Sequence, residues 1–94
     1  MSPSLDPGTR VRISPSVYVR AFGDELVLLD FSRGEYFGLD EAGAIVWRGL
    51  EAAKPLGEIV DALVERYEVA REVAYEDIVA LVTHMQSQSL LTLV

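Results

Sequence analysis

Apolar residues recur with two different periods along the 94-residue chain, and the change falls near residue 40. Before it, Val11-Arg-Ile13 alternates, Ser14-Pro-Ser16 interrupts, and Val17–Phe22 resumes with Val, Tyr and Phe. That is the pattern of a first strand broken or bulged at Pro15, and an outer one, because proline removes a ladder donor. Gly23-Asp24 makes a two-residue loop with glycine first, suited to a primed hairpin turn. Glu25–Phe31 follows as a second strand, whose Leu26-Val-Leu-Leu29 centre makes it the most apolar and hence the central one. Asp30-Phe-Ser-Arg-Gly34 makes a second tight connection, with Gly34 free to adopt a positive φ, before a short third strand, Glu35-Tyr-Phe-Gly-Leu39. The three strands form an antiparallel meander.

From Asp40 the period becomes 3.6. Asp40 can cap a helix in which Ala42, Ile45, Val46, Gly49 and Leu50 share a face. Pro55 then stands where a second helix begins, with Leu56, Ile59, Val60, Leu63, Val64 and Tyr67 as its stripe and Glu58, Asp61 and Glu65 outside it. A third helix, roughly Val73–Gln86, carries two adjacent stripes: Ala74, Ile78, Leu81 and Met85, and beside them Tyr75, Val79 and Val82. Leu90-Leu-Thr-Leu-Val94 is an apolar tail that either covers the core or adds an edge strand; the pattern alone does not choose. The order β-β-β-α-α-α belongs to the α+β class and also suits a winged helix-turn-helix-like shape. At 94 residues the chain is too small for two independent cores, so 11–94 reads as a single domain behind a flexible, proline-punctuated lead-in, 1–10.

Composition narrows the function. Half the residues are hydrophobic and 24% charged, which excludes wholesale disorder. The absence of cysteine excludes disulfides, thiolate metal sites and a cysteine nucleophile, and fits a reducing compartment. A spanning helix needs about 20 apolar residues. The longest apolar runs, Leu26–Leu29, Ala44–Trp47 and Val79–Val82, fall far short, and residues 1–8 lack the features of a signal peptide, so the expected location is the cytoplasm. Up to Gly34 acidic and basic residues balance at four each; beyond it stand four basic and eleven acidic residues, which carry all of the net −7. A helical region so acidic is a poor match to phosphate, which counts against a winged-helix nucleic-acid binder.

Catalytic constellations are missing. The single histidine, His84, has no His or Cys partner at helical spacing, which argues against a zinc site; a serine nucleophile would need this same histidine as its base, yet no Gly-x-Ser-x-Gly elbow occurs and serine is concentrated near the two ends. The seven glycines form no phosphate-binding fingerprint. The paired acids Asp40/Glu41, Glu65/Glu68 and Glu76/Asp77 read as solvated helix faces. No cofactor is called for, and binding becomes the expected role.

A three-strand meander has two outer strands. With the first interrupted at Pro15, the third offers the more regular row of unpaired N–H and C=O groups. Only Glu35 guards that edge, and Gly38 leaves space for a second backbone. Alternation sends Phe37 and Leu39 to the core face and Tyr36 to the other. If one stripe of the third helix suffices for packing, the other can line a groove beside this strand, where an extended peptide pairs its backbone and sinks alternate side chains. Asp77 interrupts that face as a polar anchor, or stands as an exposed acid in a helix first turn. Trp47, next to the Ile45/Val46 stripe, reads as core.

The run Leu28-Leu-Asp30, Gly34-Glu-Tyr36, Leu39-Asp40, Gly43-Ala44, Trp47 and Leu50, then Glu58-Ile-Val60, Leu63, Tyr67, Asp77-Ile78, Leu81 and Leu90-Leu91, resembles the PqqD-like proteins, also called RiPP recognition elements. The likeness covers nearly all of the chain from about Val11. It implies a small winged-helix-like domain, not itself a catalyst, that binds the leader of a ribosomally made precursor peptide as an extra strand on the third strand, in the cleft to the third helix. Carried onto this chain, the implied peptide-binding residues are Arg33, Glu35, Tyr36, Phe37, Gly38 and Leu39 from the strand and its turn, and Ala74, Asp77, Ile78, Leu81 and Met85 from the helix. The Gly34-Glu-Tyr-Phe turn and Gly43-Ala44-x-x-Trp47 are more similar to the discrete leader-binding proteins of lasso-peptide pathways than to PqqD of pyrroloquinoline quinone synthesis, whose turn usually reads Pro-Glu-Gly. The lasso likeness implies a separate cysteine leader peptidase as partner and a leader with a Tyr-x-x-Pro element. The alternative it leaves is a PqqD-type chaperone for a radical SAM or other maturation enzyme. Two positions depart from the family: Asp40 where Asn is frequent, and Ser89 where a Gly often precedes the final Leu-Leu, which weakens the expected turn.

Overall fold

Eight elements make up the computed structural model, which describes residues 5–94: β1 (Val11–Ile13), β2 (Val17–Phe22), β3 (Glu25–Asp30), β4 (Glu35–Leu39), α1 (Glu41–Glu51), α2 (Leu56–Tyr67), α3 (Arg71–Ser87) and β5 (Leu91–Leu93). The α+β class and the antiparallel meander agree with the sequence pattern. Strands β2, β3 and β4 pair in that order, with Leu28 opposite both Val19 and Phe37. Gly23 and Gly34 supply the positive φ values, 61° and 66°, that their turns require.

The first strand differs from the expectation. Val11–Ile13 and Val17–Phe22 are not one bulged strand but members of two sheets. β1 turns away at Ser14-Pro-Ser16 and pairs with the C-terminal tail, Val11 opposite Leu93 and Ile13 opposite Leu91. Pro15 has no N–H to continue a ladder, and the break is fixed by Val17 N donating to Ser14 O and Ser14 N to Leu90 O. The tail is thereby an edge strand, committed to β1 and absent from β4.

On β3, Leu26, Leu28 and Asp30 point inward and are buried. Asp30 is tolerated there because its carboxylate accepts from Ser32 Oγ (2.7 Å), Ser32 N (3.0 Å) and Ser16 Oγ (3.2 Å). These bonds, the Ser32 hydroxyl foremost, hold its pKa below the usual 3.8 against the opposing effect of burial, and tie the β3–β4 turn to the β1–β2 break. The outer face of the sheet is a row of Tyr18, Leu29 and Tyr36, with Tyr18 edge-to-face on Phe31 at 5.0 Å.

Asp40 caps α1 by accepting from Gly43 N at 2.9 Å, and Val46, Trp47 and Leu50 enter the core. Trp47 is wholly buried, and its indole N–H finds no acceptor among the described residues. α2 buries Leu56, Ile59, Val60 and Leu63 as its stripe requires. No side chain caps its first turn, because Pro55 occupies the cap position. The lead-in supplies the missing acceptors: Leu56 N donates to Thr9 O (3.0 Å) and Gly57 N to Pro7 O (2.9 Å). Within residues 5–10, Leu5 is buried and its carbonyl accepts from Tyr75 Oη, while Asp6, Pro7, Gly8 and Arg10 stay exposed. The expectation for residues 1–4 lies outside the described residues.

α3 begins two residues earlier than the pattern implied, and its buried arc draws on both predicted stripes: Ala74, Ile78 and Met85 from one, Val82 from the other. Tyr75, Val79 and Leu81 are half-buried flanks. No helix among the described residues is long and apolar enough to cross a membrane.

Candidate functional site: an edge strand beside an apolar cleft

With β3 on one side and no strand on the other among the described residues, β4 presents a free edge. Next to it opens a cleft of about 450 Å³ walled by three helices and the end of β4. Gly38, Leu39 and the cap Asp40 form one side, Ala42, Gly43 and Val46 of α1 the back, and Leu63 of α2 with Asp77, Ile78 and Leu81 of α3 the other side. Val46, Leu63 and Ile78 are buried floor residues, whereas Ala42 and Leu81 are partly open rim residues. Gly43 sets the wall spacing, since a Cβ there would stand 3.2 and 3.3 Å from the Leu39 side chain. With a side chain there, Leu39 would have to give by a few tenths of an ångström for the first turn of α1 to lie so close to β4.

The start of β4 is anchored differently. Arg33 Nε pairs with Glu35 at 3.1 Å while its Nη1 donates to the Gln88 carbonyl at 3.1 Å, which ties the β3–β4 turn to the C-cap of α3. The strand thereby keeps its angle to the helix along both ends of the cleft.

Of the eleven residues singled out from sequence, the structure brings Gly38, Leu39, Asp77, Ile78 and Leu81 together on the cleft. Arg33 and Glu35 pair with each other at its far end. Phe37 faces inward against the core, and Tyr36, 75% exposed, stands on the outer face. Ala74 and Met85 do not reach the cleft; at 2% and 1% exposure they are core residues of α3, because the helix turns its Ala74–Ile78–Val82–Met85 arc inward. Gly38 lines the cleft through its backbone. Its pairing with Val27 puts a would-be side chain on the outer face, where a Cβ would meet nothing within 4 Å. Sequence reasoning missed Asp40, Ala42, Gly43, Val46 and Leu63 as wall residues. For Ala42, Gly43 and Val46 a local signal was present, since the 42/43/46 spacing puts them on one side of the first turns of α1; that this side faces β4, and that Leu63 of α2 joins it, depends on contacts between elements.

A larger cleft, about 560 Å³, lies between the β2–β3 hairpin, α1 and α2. Its rim is bridged by Glu41, which accepts from Tyr67 Oη at 2.5 Å and pairs with Arg66 at 3.1 Å. That hydrogen bond raises the Tyr67 pKa above its usual 10.0. Of the two, the smaller cleft is the one that joins an apolar floor to the regular edge of β4. His84 is exposed in the last turn of α3, and it is its carbonyl that accepts the Ser87 hydroxyl. Among the described residues no three His, Cys, Asp or Glu side chains converge to hold a metal ion.

No curated protein matches the chain. Two solved structures do, each with a TM-score of 0.81. TbiB1 in complex with the TbiA(beta) leader peptide is 38% identical over 85% of this chain and 93% of that one. A lasso peptide synthetase B1 complexed with the leader peptide is 30% identical over 88% and 98%. The family model for coenzyme PQQ synthesis protein D (PqqD) matches residues 25–91, from the first residue of β3 to the first of β5. A match over so much of the chain, together with relatives of this identity, means that the protein belongs to the PqqD family and is a PqqD-like RiPP recognition element.

Proposed function

We propose that this protein is a non-catalytic adaptor of lasso-peptide biosynthesis, acting in the cytoplasm, which binds the leader of a ribosomally made precursor and presents it to a cysteine leader peptidase. The observation that carries this reading is the unmated edge of β4 beside an apolar cleft. An extended leader pairs its backbone with β4 and places alternate side chains against Leu39, Ile78 and Leu81, so the edge supplies generic affinity and the cleft supplies selection. Relatives at 38% and 30% identity that are each bound to a leader support it, and favour a lasso precursor over that of a quinone cofactor. A segment of about ten residues buries roughly 1,000–1,500 Å² in total, enough for a specific and reversible complex.

Calorimetric titration with the TbiA(beta) leader peptide tests the proposal. Binding at micromolar or tighter Kd is expected (about −8 kcal/mol or better), weakened at least about tenfold by Ala42→Phe, which fills the partly open back wall, with the melting temperature unchanged. No binding, or equal binding by the filled variant, refutes it.

A further inference from the structure

The free edge and the apolar floor define where a peptide lies; the charges around them decide which peptide. The titratable side chains lining the cleft are two carboxylates, Asp40 and Asp77, with no base among its walls. Asp40 is already engaged, accepting from Gly43 N at 2.9 Å. Asp77 is exposed and forms no ion pair or side-chain hydrogen bond among the described residues.

Nothing among the described residues accounts for an acid at this place. Because α3 starts at Arg71, Asp77 stands in its second turn, beyond the reach of the helix N-terminus, where a negative charge is favoured by the dipole. Its helical neighbours three and four positions away are Val73, Ala74, Ala80 and Leu81, none of them a cation. Of the four bases after Gly34, Arg48, Arg66 and Arg71 pair with Glu51, Glu41 and Asp61, and Lys54 lines the other cleft. Arg33, the base nearest in sequence to β4, is held by Glu35 and the Gln88 carbonyl at the strand's opposite end. An unneutralised carboxylate at the rim of an apolar trough repels acidic guests and rewards basic ones.

We infer that the cleft selects a leader carrying a basic side chain, Lys or Arg, at the position that comes opposite Asp77. This rests on the leader-binding reading and adds the charge of the guest to it. The net charge of −7, all of it beyond Gly34, favours the encounter of such a peptide with the protein.

The test is a charge scan. The TbiA(beta) leader peptide, with each residue replaced in turn by Lys and by Glu, is titrated against the wild type, Asp77→Asn and Asp77→Lys. Asp77 is exposed and has no partner among the described residues, so neither variant disturbs the fold, and unchanged melting temperatures confirm it. One position is expected at which the wild type binds the Lys peptide about three- to tenfold tighter than the Glu peptide. That preference vanishes in Asp77→Asn and inverts in Asp77→Lys. If peptides bind but no position shows an inverting preference, the charge inference is overturned while leader binding stands. If no peptide binds the wild type, the leader-binding reading itself falls, and this inference with it.

Discussion

Gly49→Ala tests the packing of α1 against α2, two of the helices that wall the cleft beside β4. Gly49 is buried on α1, and a Cβ there would stand 2.6 Å from Ile59 Cγ1 and 2.9 Å from Ile59 Cδ1. Carbon atoms rest about 3.5–4.0 Å apart, so the new methyl overlaps its neighbour by roughly 0.9 Å or more. Ile59 is 2% exposed and branched at Cβ, which leaves it few alternative χ1 rotamers to relieve the clash. Overpacking of this kind costs about 1–3 kcal/mol, and the better helix propensity of alanine returns about 0.8–1.0 kcal/mol. The expected net loss is on the order of 1 kcal/mol, or a melting temperature lower by roughly 4–8 °C. Urea unfolding followed by the fluorescence of the buried Trp47 measures it. In an Ile59→Ala background the clash is gone, and the same substitution should become neutral or stabilising by up to about 1 kcal/mol. Should Gly49→Ala stabilise the wild type by the propensity increment alone, α1 and α2 do not approach each other at Gly49 and Ile59 as described.

Ser89 sits at φ 62°, in the left-handed region that a side chain disfavours, so Ser89→Gly is expected to raise stability by about 0.5–1 kcal/mol in thermal unfolding. Asp30 titrates below the ordinary carboxylate value of 3.8, so its contribution to stability is complete above that pH and is lost as pH falls through the lower folded-state value. Ser32→Ala removes the largest cause of the shift. An NMR titration of the Asp30 carboxyl should then move up toward 3.8, and an unchanged midpoint would contradict the assigned hydrogen bonds.

What was legible in the sequence follows from the range of the forces involved. The α2 stripe, the Asp40 cap, the Gly23 and Gly34 turns and the span Glu35–Leu39 depend on residues a few positions apart, and they read directly. The β1–β5 pair joins residues 11–13 to 91–93, and no local pattern encodes such a partner. Proline at 15 announced a break but not which sheet each half would join. The order of residues 5–10 followed from a want elsewhere, the uncapped first turn of α2, and only the folded chain brings Pro7 and Thr9 to it. On α3 the apolar arc is wider than one stripe, so periodicity could not fix its rotation. Ala74 and Met85 turned inward, and Leu81 stayed at the rim. The edge of β4 was inferred from strand count and turn chemistry, whereas the α1 wall depended on the closeness of Gly43 to Leu39, a contact between elements.

The most direct measurement of the central claim is amide hydrogen exchange across residues 35–39 with and without the TbiA(beta) leader peptide. The account predicts that β4 amides facing the free edge exchange readily in the unbound protein and become protected on binding, while β1 and β5, already paired with each other, change little. Protection that appears on β1 and β5, or on the helices alone, with β4 unchanged, would mean that the leader does not complete this sheet.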